Sequence, residues 1–151
     1  TLLHPIGYKH PTNNNRKGGI KVYAQKLSGN NVQRFPDFVK DNRIILDAKY
    51  KRMKDNNINP DDLNQVLSYL FLYRADVGGY IAPTVGDNLA LNMGLLNGFG
   101  GNIHKFKLAI PQQVTSYQAF KKTITENEAK LIKAIQKLSS MQNNGEPFEF
   151  I

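Results

Sequence analysis

Phe35-Pro36-Asp37 and, with nine residues between, Asp47-Ala48-Lys49-Tyr50-Lys51 form the stretch that decides the reading of this chain. Ile44-Ile45-Leu46 leads into the second block and has the continuous apolar character of a buried strand. Asp41-Asn42 is a turn pair. Two strands joined by that tight connection bring Asp37 and Asp47 to neighbouring positions. Side chains alternate along a strand, so Asp47, Lys49 and Lys51 share one face while Leu46, Ala48 and Tyr50 share the other. Two carboxylates and an ammonium then converge on one edge of an apolar sheet. This grouping suits phosphodiester hydrolysis. Carboxylate oxygens are the hard donors that Mg²⁺ prefers, the cation activates water and neutralises phosphate charge, and a lysine stabilises the charge that develops. An isolated Asp-x-Lys is most often a surface ion pair of little energetic weight. Pro36-Asp37 at hairpin distance, the apolar lead-in and the helix that follows set this one apart.

Upstream, residues 1–19 carry Pro5, Pro11, Asn13-Asn14-Asn15 and Gly18-Gly19 without apolar periodicity and read as an irregular arm. Ile20, Val22 and Ala24 alternate with Lys21, Tyr23 and Gln25, which predicts a half-buried strand over 20–27. Ser28-Gly29-Asn30-Asn31 is a turn. Strands over 32–39 and 43–51 complete a predicted three-stranded meander. Downstream, Asn59-Pro60-Asp61-Asp62 opens a helix: Asn caps, Pro takes the first turn, and the acids face the positive end of the helix dipole. Leu63, Val66, Leu67 and Leu70 form its apolar stripe, and Gly78-Gly79 is expected to close the segment. Asp62, Gln65 and Tyr69 fall on one polar stripe opposite the leucines. From there Gln65 is expected to reach a metal-bound water or a phosphate.

Tyr80-Ile81-Ala82-Pro83 reads as a short buried strand, 84–102 as a Gly- and Asn-rich loop, and 105–110 as another strand. Phe120, Ile124, Leu131, Ile135 and Leu138 mark a long amphipathic helix over 116–141. This order predicts an α/β fold with a central mixed sheet flanked by helices. The division expected is an N-terminal arm over 1–19, continuing from an upstream region, and one domain over 20–151. The chain starts at Thr1 rather than Met, so an excised piece of a longer protein is expected.

Composition bounds the function. At 151 residues and 40% hydrophobic content the chain is long enough to bury a core. No window approaches the apolar run that a membrane span needs, so a soluble domain without membrane contact is expected. The absence of cysteine excludes disulfides and thiolate metal sites and fits a cytoplasmic location. Lys and Arg outnumber Asp and Glu by 20 to 12, for a net charge of +8 and a pI near 9.7. Such a balance attracts polyanions through phosphate neutralisation, which permits nucleic acid as a partner without establishing it.

Pro36-Asp37, Ile45-Leu46-Asp47-Ala48-Lys49-Tyr50-Lys51, Asp61-Asp62-Leu63-Asn64-Gln65-Val66-Leu67-Ser68-Tyr69 and Gly79-Tyr80-Ile81-Ala82-Pro83 together resemble the PD-(D/E)XK nuclease superfamily. More narrowly, they are similar to the C-terminal nuclease domain of McrC, the cleavage subunit family of McrBC-type restriction systems. The likeness spans about Ile20 to Pro83. It implies a restriction-endonuclease-like fold and Mg²⁺-dependent endonuclease activity on double-stranded DNA, with Mn²⁺ able to substitute. It implies Asp37 and Asp47 as metal ligands together with the Ala48 carbonyl, Lys49 as the catalytic lysine, and Gln65 as an accessory catalytic residue on the helix. It further implies an AAA+ GTPase subunit as partner. Many superfamily members carry a glutamate on a helix before the first strand, whereas no acid precedes Asp37 here. The alternative function is a catalytically weak or inactive nuclease-fold module that binds DNA.

Other candidates are weaker. His4, His10 and His104 have no zinc-site spacing. Gly98-Phe99-Gly100-Gly101 lacks the Lys-Ser/Thr of a phosphate loop. Lys121, Lys122, Lys130, Lys133 and Lys137 on the last helix read as a solvated face that is also able to track a DNA backbone.

Overall fold

The computed structural model describes residues 2–11, 20–22, 32–51, 57–97 and 101–141. A five-stranded mixed sheet forms the centre. Its order is β3 (Phe38–Lys40), β4 (Ile44–Ala48), β5 (Val77–Thr84), β7 (Asn102–Ala109) and β6 (Leu89–Leu95). β4, β5 and β7 run parallel, while β3 and β6 are antiparallel to their neighbours. Helix α1 (Pro60–Tyr73) packs on one face and α2 (Tyr117–Met141) on the other. The fold is α/β, with two helices flanking a mixed sheet, consistent with a restriction-endonuclease-like arrangement. β1 (Ile20–Val22) and β2 (Val32–Arg34) form a separate antiparallel pair.

β4 is buried on both faces, and this explains its unbroken Ile44-Ile45-Leu46 run. Ile44 and Leu46 point to the α2 side, where Phe106, Leu131, Ile135 and Leu138 meet them, while Ile45 joins Tyr80, Ile103, Val66, Tyr69 and Leu70 on the α1 side. Leu3 and Tyr8, from the stretch read as an arm, are fully buried in the α2-side core. Lys9 bridges to Val39 through two backbone hydrogen bonds, which extends the sheet beyond β3. Asn88 and Asn127 tie α2 to the sheet: Asn88 donates to the Asn127 carbonyl and accepts from Ala109 N–H.

The helix starts follow the sequence. Asn59 accepts a 2.8 Å bond from Asp61 N–H with Pro60 in the first turn, and Ser116 accepts from Ala119 N–H at 3.1 Å ahead of α2. Three expectations are corrected. The strand predicted over 32–39 is broken at Phe35-Pro36-Asp37, so there is no three-stranded meander; β2 pairs with β1 and β3 with β4. Pro36 has no N–H to donate to a ladder. Gly78-Gly79 does not close α1. The helix ends at Tyr73, where Arg74 turns left-handed at φ 53° and its N–H caps the carbonyls of Leu70 and Phe71. Both glycines lie inside β5 for steric reasons. A Cβ on Gly78 would stand 2.6 Å from Val66 of α1, and one on Gly79 would collide with the His104 carbonyl oxygen of β7. Finally, 84–102 is not a loop but contains the edge strand β6. The parts of the first predicted strand beyond Val22, its following turn and residues 98–100 lie outside the described residues.

Candidate active site

The turn between β3 and β4 sets the geometry. Asp41 and Asn42 adopt left-handed φ values of 52° and 54°, a conformation these two residue types tolerate, and Arg43 N–H closes the turn on the Lys40 carbonyl at 3.0 Å. The register that follows pairs Phe38 with Leu46. Asp37 comes immediately before Phe38, and Asp47 immediately after Leu46. Asp37 Oδ2 also accepts a 2.7 Å hydrogen bond from the Ala48 backbone N–H, which fixes the start of β3 to the end of β4. Asp47 is buried, on the same face as Ile45 and therefore under α1.

Helix α1 presents its polar stripe to this point. The Lys49 ammonium lies 2.8 Å from Asp47 Oδ2 and 2.9 Å from Asp62 Oδ1, and it donates to Gln65 Oε1. Gln65 in turn donates to the Tyr69 hydroxyl at 2.9 Å, and that hydroxyl faces the Phe35 carbonyl at 3.4 Å. The relay thus begins at Asp47, runs through Lys49, Gln65 and Tyr69, and ends beside Pro36-Asp37. Asp37, Asp47, Lys49 and Gln65 are all brought together. The role of Asp62 is new: the sequence places it on the stripe, but only the packing of α1 on β4 shows that it shares Lys49 with Asp47. His10 is also new. Its Nδ1 lies against the Asp37 carbonyl oxygen, placed there by the Lys9–Val39 bridge. No local signal marks a histidine whose partner is 27 residues away.

The electrostatics are those of crowded acids. Burial lifts the Asp47 carboxyl above the usual carboxylate range; the Lys49 ammonium offsets this only in part, and the charges of Asp37 and Asp62 add to it. For Lys49, burial works against the charged form, but the hydrogen bonds to Asp47 and Asp62 outweigh it and hold the ammonium. Burial and the Asp47 charge push the Tyr69 hydroxyl upward, so it stays protonated. The cluster sets three carboxylates against one ammonium. Among the described residues, no group of three His, Asp or Glu side chains is gathered to hold a metal alone. Mg²⁺ needs no such cage: it is usually held through one or two carboxylates, with water and substrate phosphate completing the shell. The Asp37 and Asp47 carboxylates are hard donors in a cluster whose acids outnumber the ammonium they share, and they fit such an ion.

No protein-family model matches the chain, and no curated protein does. Among solved structures, it is similar to a chain in the refined half-complex from the tetradecameric assembly of Thermococcus gammatolerans McrB AAA+ hexamers with bound McrC. The TM-score is 0.48 at 19% identity, over 78% of this chain and 28% of that one. The chain therefore spans under a third of the length of that neighbour. No helix among the described residues is long and apolar enough to cross a membrane.

Proposed function

We propose that this domain is a Mg²⁺-dependent endonuclease that hydrolyses phosphodiester bonds in double-stranded DNA. The observation that carries this reading is the Lys49 ammonium held between Asp47 and Asp62, with Asp37 bonded to the next residue of β4, Ala48. Asp37, Asp47 and the Ala48 carbonyl would hold the cation, with Mn²⁺ as a substitute. When bound, the cation supplies an activated water and neutralises phosphate charge. The protein's own residues do the rest. Lys49 stabilises negative charge that develops on the phosphate, and Gln65 aims the ammonium by accepting from it. Tyr69, protonated and buried, holds Gln65. Asp62 shares the Lys49 ammonium and keeps it from collapsing wholly onto Asp47.

A cleavage subunit of a restriction system, working with an AAA+ GTPase, is the wider setting that the sequence resemblance supports. The test is plasmid cleavage with Mg²⁺, with Mn²⁺ and with EDTA. Cleavage that needs either metal and disappears in EDTA and in Asp47→Asn is the expected result. DNA binding with no cleavage under any metal would leave the binding-module alternative in its place.

A further inference from the structure

Tyr50 directly follows the candidate catalytic lysine and is 94% exposed. β4 ends at Ala48, and beyond that point neither helix covers the ring. Among the described residues, no hydrogen bond, ion pair or ring contact engages it. Lys51, next along the chain, is exposed as well. A lone exposed aromatic side chain usually needs no explanation. The backbone that carries this one sets it apart. Ala48 N–H is fastened to the Asp37 carboxylate at 2.7 Å and Lys49 N–H to the Ile81 carbonyl at 2.8 Å, while the Lys49 ammonium is held by Asp47, Asp62 and Gln65. The two residues before Tyr50 are thus tied down, and its Cα stands one residue, about 3.8 Å, from that of Lys49. A bare ring is therefore carried on a fixed base beside the group that meets the scissile phosphate.

We infer that Tyr50 is a substrate-positioning residue that stacks on an unpaired base beside the scissile phosphate, so that the preferred substrate is DNA locally opened at the cut. An uncovered ring offers its face to any base, whatever the sequence. Inside an intact duplex both faces of a base are taken by its neighbours, and inserting a side chain there costs unstacking energy. An opened base has a face to give. The carboxylates of the cluster repel a phosphate backbone, but stacking is indifferent to that charge. Lys51 adds a cation for the flanking phosphate, and aromatic rings combined with basic groups are how proteins hold single strands. This inference rests on the nuclease reading and names the form of DNA that the site takes.

The test separates the two ideas by measuring binding without cleavage. Asp47→Asn protein is titrated, by fluorescence anisotropy, into two labelled duplexes of the same length, one fully paired and one with a short central mismatch. The same titrations are run with Tyr50→Ala or Tyr50→Phe added. Asp47→Asn alone is expected to bind the mismatched duplex more tightly than the paired one. Tyr50→Ala weakens binding of the mismatched duplex by about five-fold or more, and leaves the paired duplex and the salt slope near their starting values, because stacking releases no counterions. Tyr50→Phe keeps the ring and the affinity. The side chain is bare, so Tyr50→Ala folds with an unchanged melting temperature. Undiminished affinity of Tyr50→Ala for the mismatched duplex would overturn the inference. So would an equal loss on both duplexes, no preference for the mismatched one before Tyr50 is changed, or a Tyr50→Phe protein as weak as Tyr50→Ala. Failure of the nuclease reading shows separately, as absent metal-dependent cleavage of either duplex by the parent protein.

Discussion

Asp37 fastens onto Ala48, the neighbour of Asp47: its carboxylate accepts the Ala48 backbone N–H at 2.7 Å, just beyond the Phe38–Leu46 pair that ends the β3–β4 register. One side chain thus fastens two strand ends and supplies half of the candidate metal pair. The two duties come apart by substitution. Asp37→Asn keeps an acceptor for Ala48 and is expected to cost under about 1 kcal/mol, whereas Asp37→Ala leaves a part-buried N–H unmet at about 1–3 kcal/mol. Both variants lose cleavage. Chemical denaturation with plasmid nicking on the same samples checks this, and an Asp37→Asn protein that cuts at the parent rate would remove Asp37 from the metal pair.

Lys49→Ala is expected to abolish cleavage while DNA affinity survives, because the other basic residues supply the phosphate contacts. Gln65→Ala acts one bond further away and lowers the rate by less. Nicking assays paired with fluorescence anisotropy measure both. Parent-rate cleavage by Lys49→Ala refutes its assignment.

The β5 glycines should differ in tolerance. Gly79→Ala sets a methyl against the His104 backbone, which is fixed in the sheet, whereas Gly78→Ala meets side chains of Val66 and Leu70 that are able to shift. Overpacking costs about 1–3 kcal/mol and more where backbone must move, so Gly79→Ala is the more damaging. Urea midpoints rank the two, and the reverse order would contradict the described approach of β5 to β7.

Acid should weaken the fold through His104. Burial lowers its pKa in the folded state, so below its ordinary value of about 6.5 the unfolded chain binds the proton that the native state refuses. Stability contributed by neutral His104 is whole above about pH 6.5 and falls as pH drops from there toward the folded pKa. His104→Gln removes that part of the slope. Melting temperatures of parent and variant between pH 5 and 8 show whether the curves converge on acidification; parallel curves count against it.

Local chemistry was legible where the cause is local. The Asn59-Pro60 helix start, the Asp41-Asn42 turn and the alternation that puts Asp47 and Lys49 on one face all follow from neighbouring residues. Gly78-Gly79 misled because glycine has two uses: it ends helices, and it admits close neighbours, here α1 and β7, which no window around residue 78 contains. β6 was hidden for a related reason. Its outer position leaves Ala90, Asn92, Gly94 and Leu95 exposed, so the burial that shapes an inner strand's sequence is missing. At the candidate site, Gln65 and Tyr69 were placed by helical spacing, but the sharing of Lys49 by Asp62 and the approach of His10 arise only from tertiary packing.

The turn at Asp41-Asn42 acts as a phase-setter for the whole cluster. Because side chains on a strand alternate every residue, inserting or deleting one residue there with β3 held in place would invert β4. Asp47 and Lys49 would then face Leu131 and Ile135 beneath α2, and Leu46 would be offered to Gln65. Every chemical group would still be present in the chain, yet none would meet. Chain length between Asp37 and Asp47 is therefore as strict a requirement as the identity of either acid, and variation in this hairpin should be confined to residues that hold the left-handed turn at constant length.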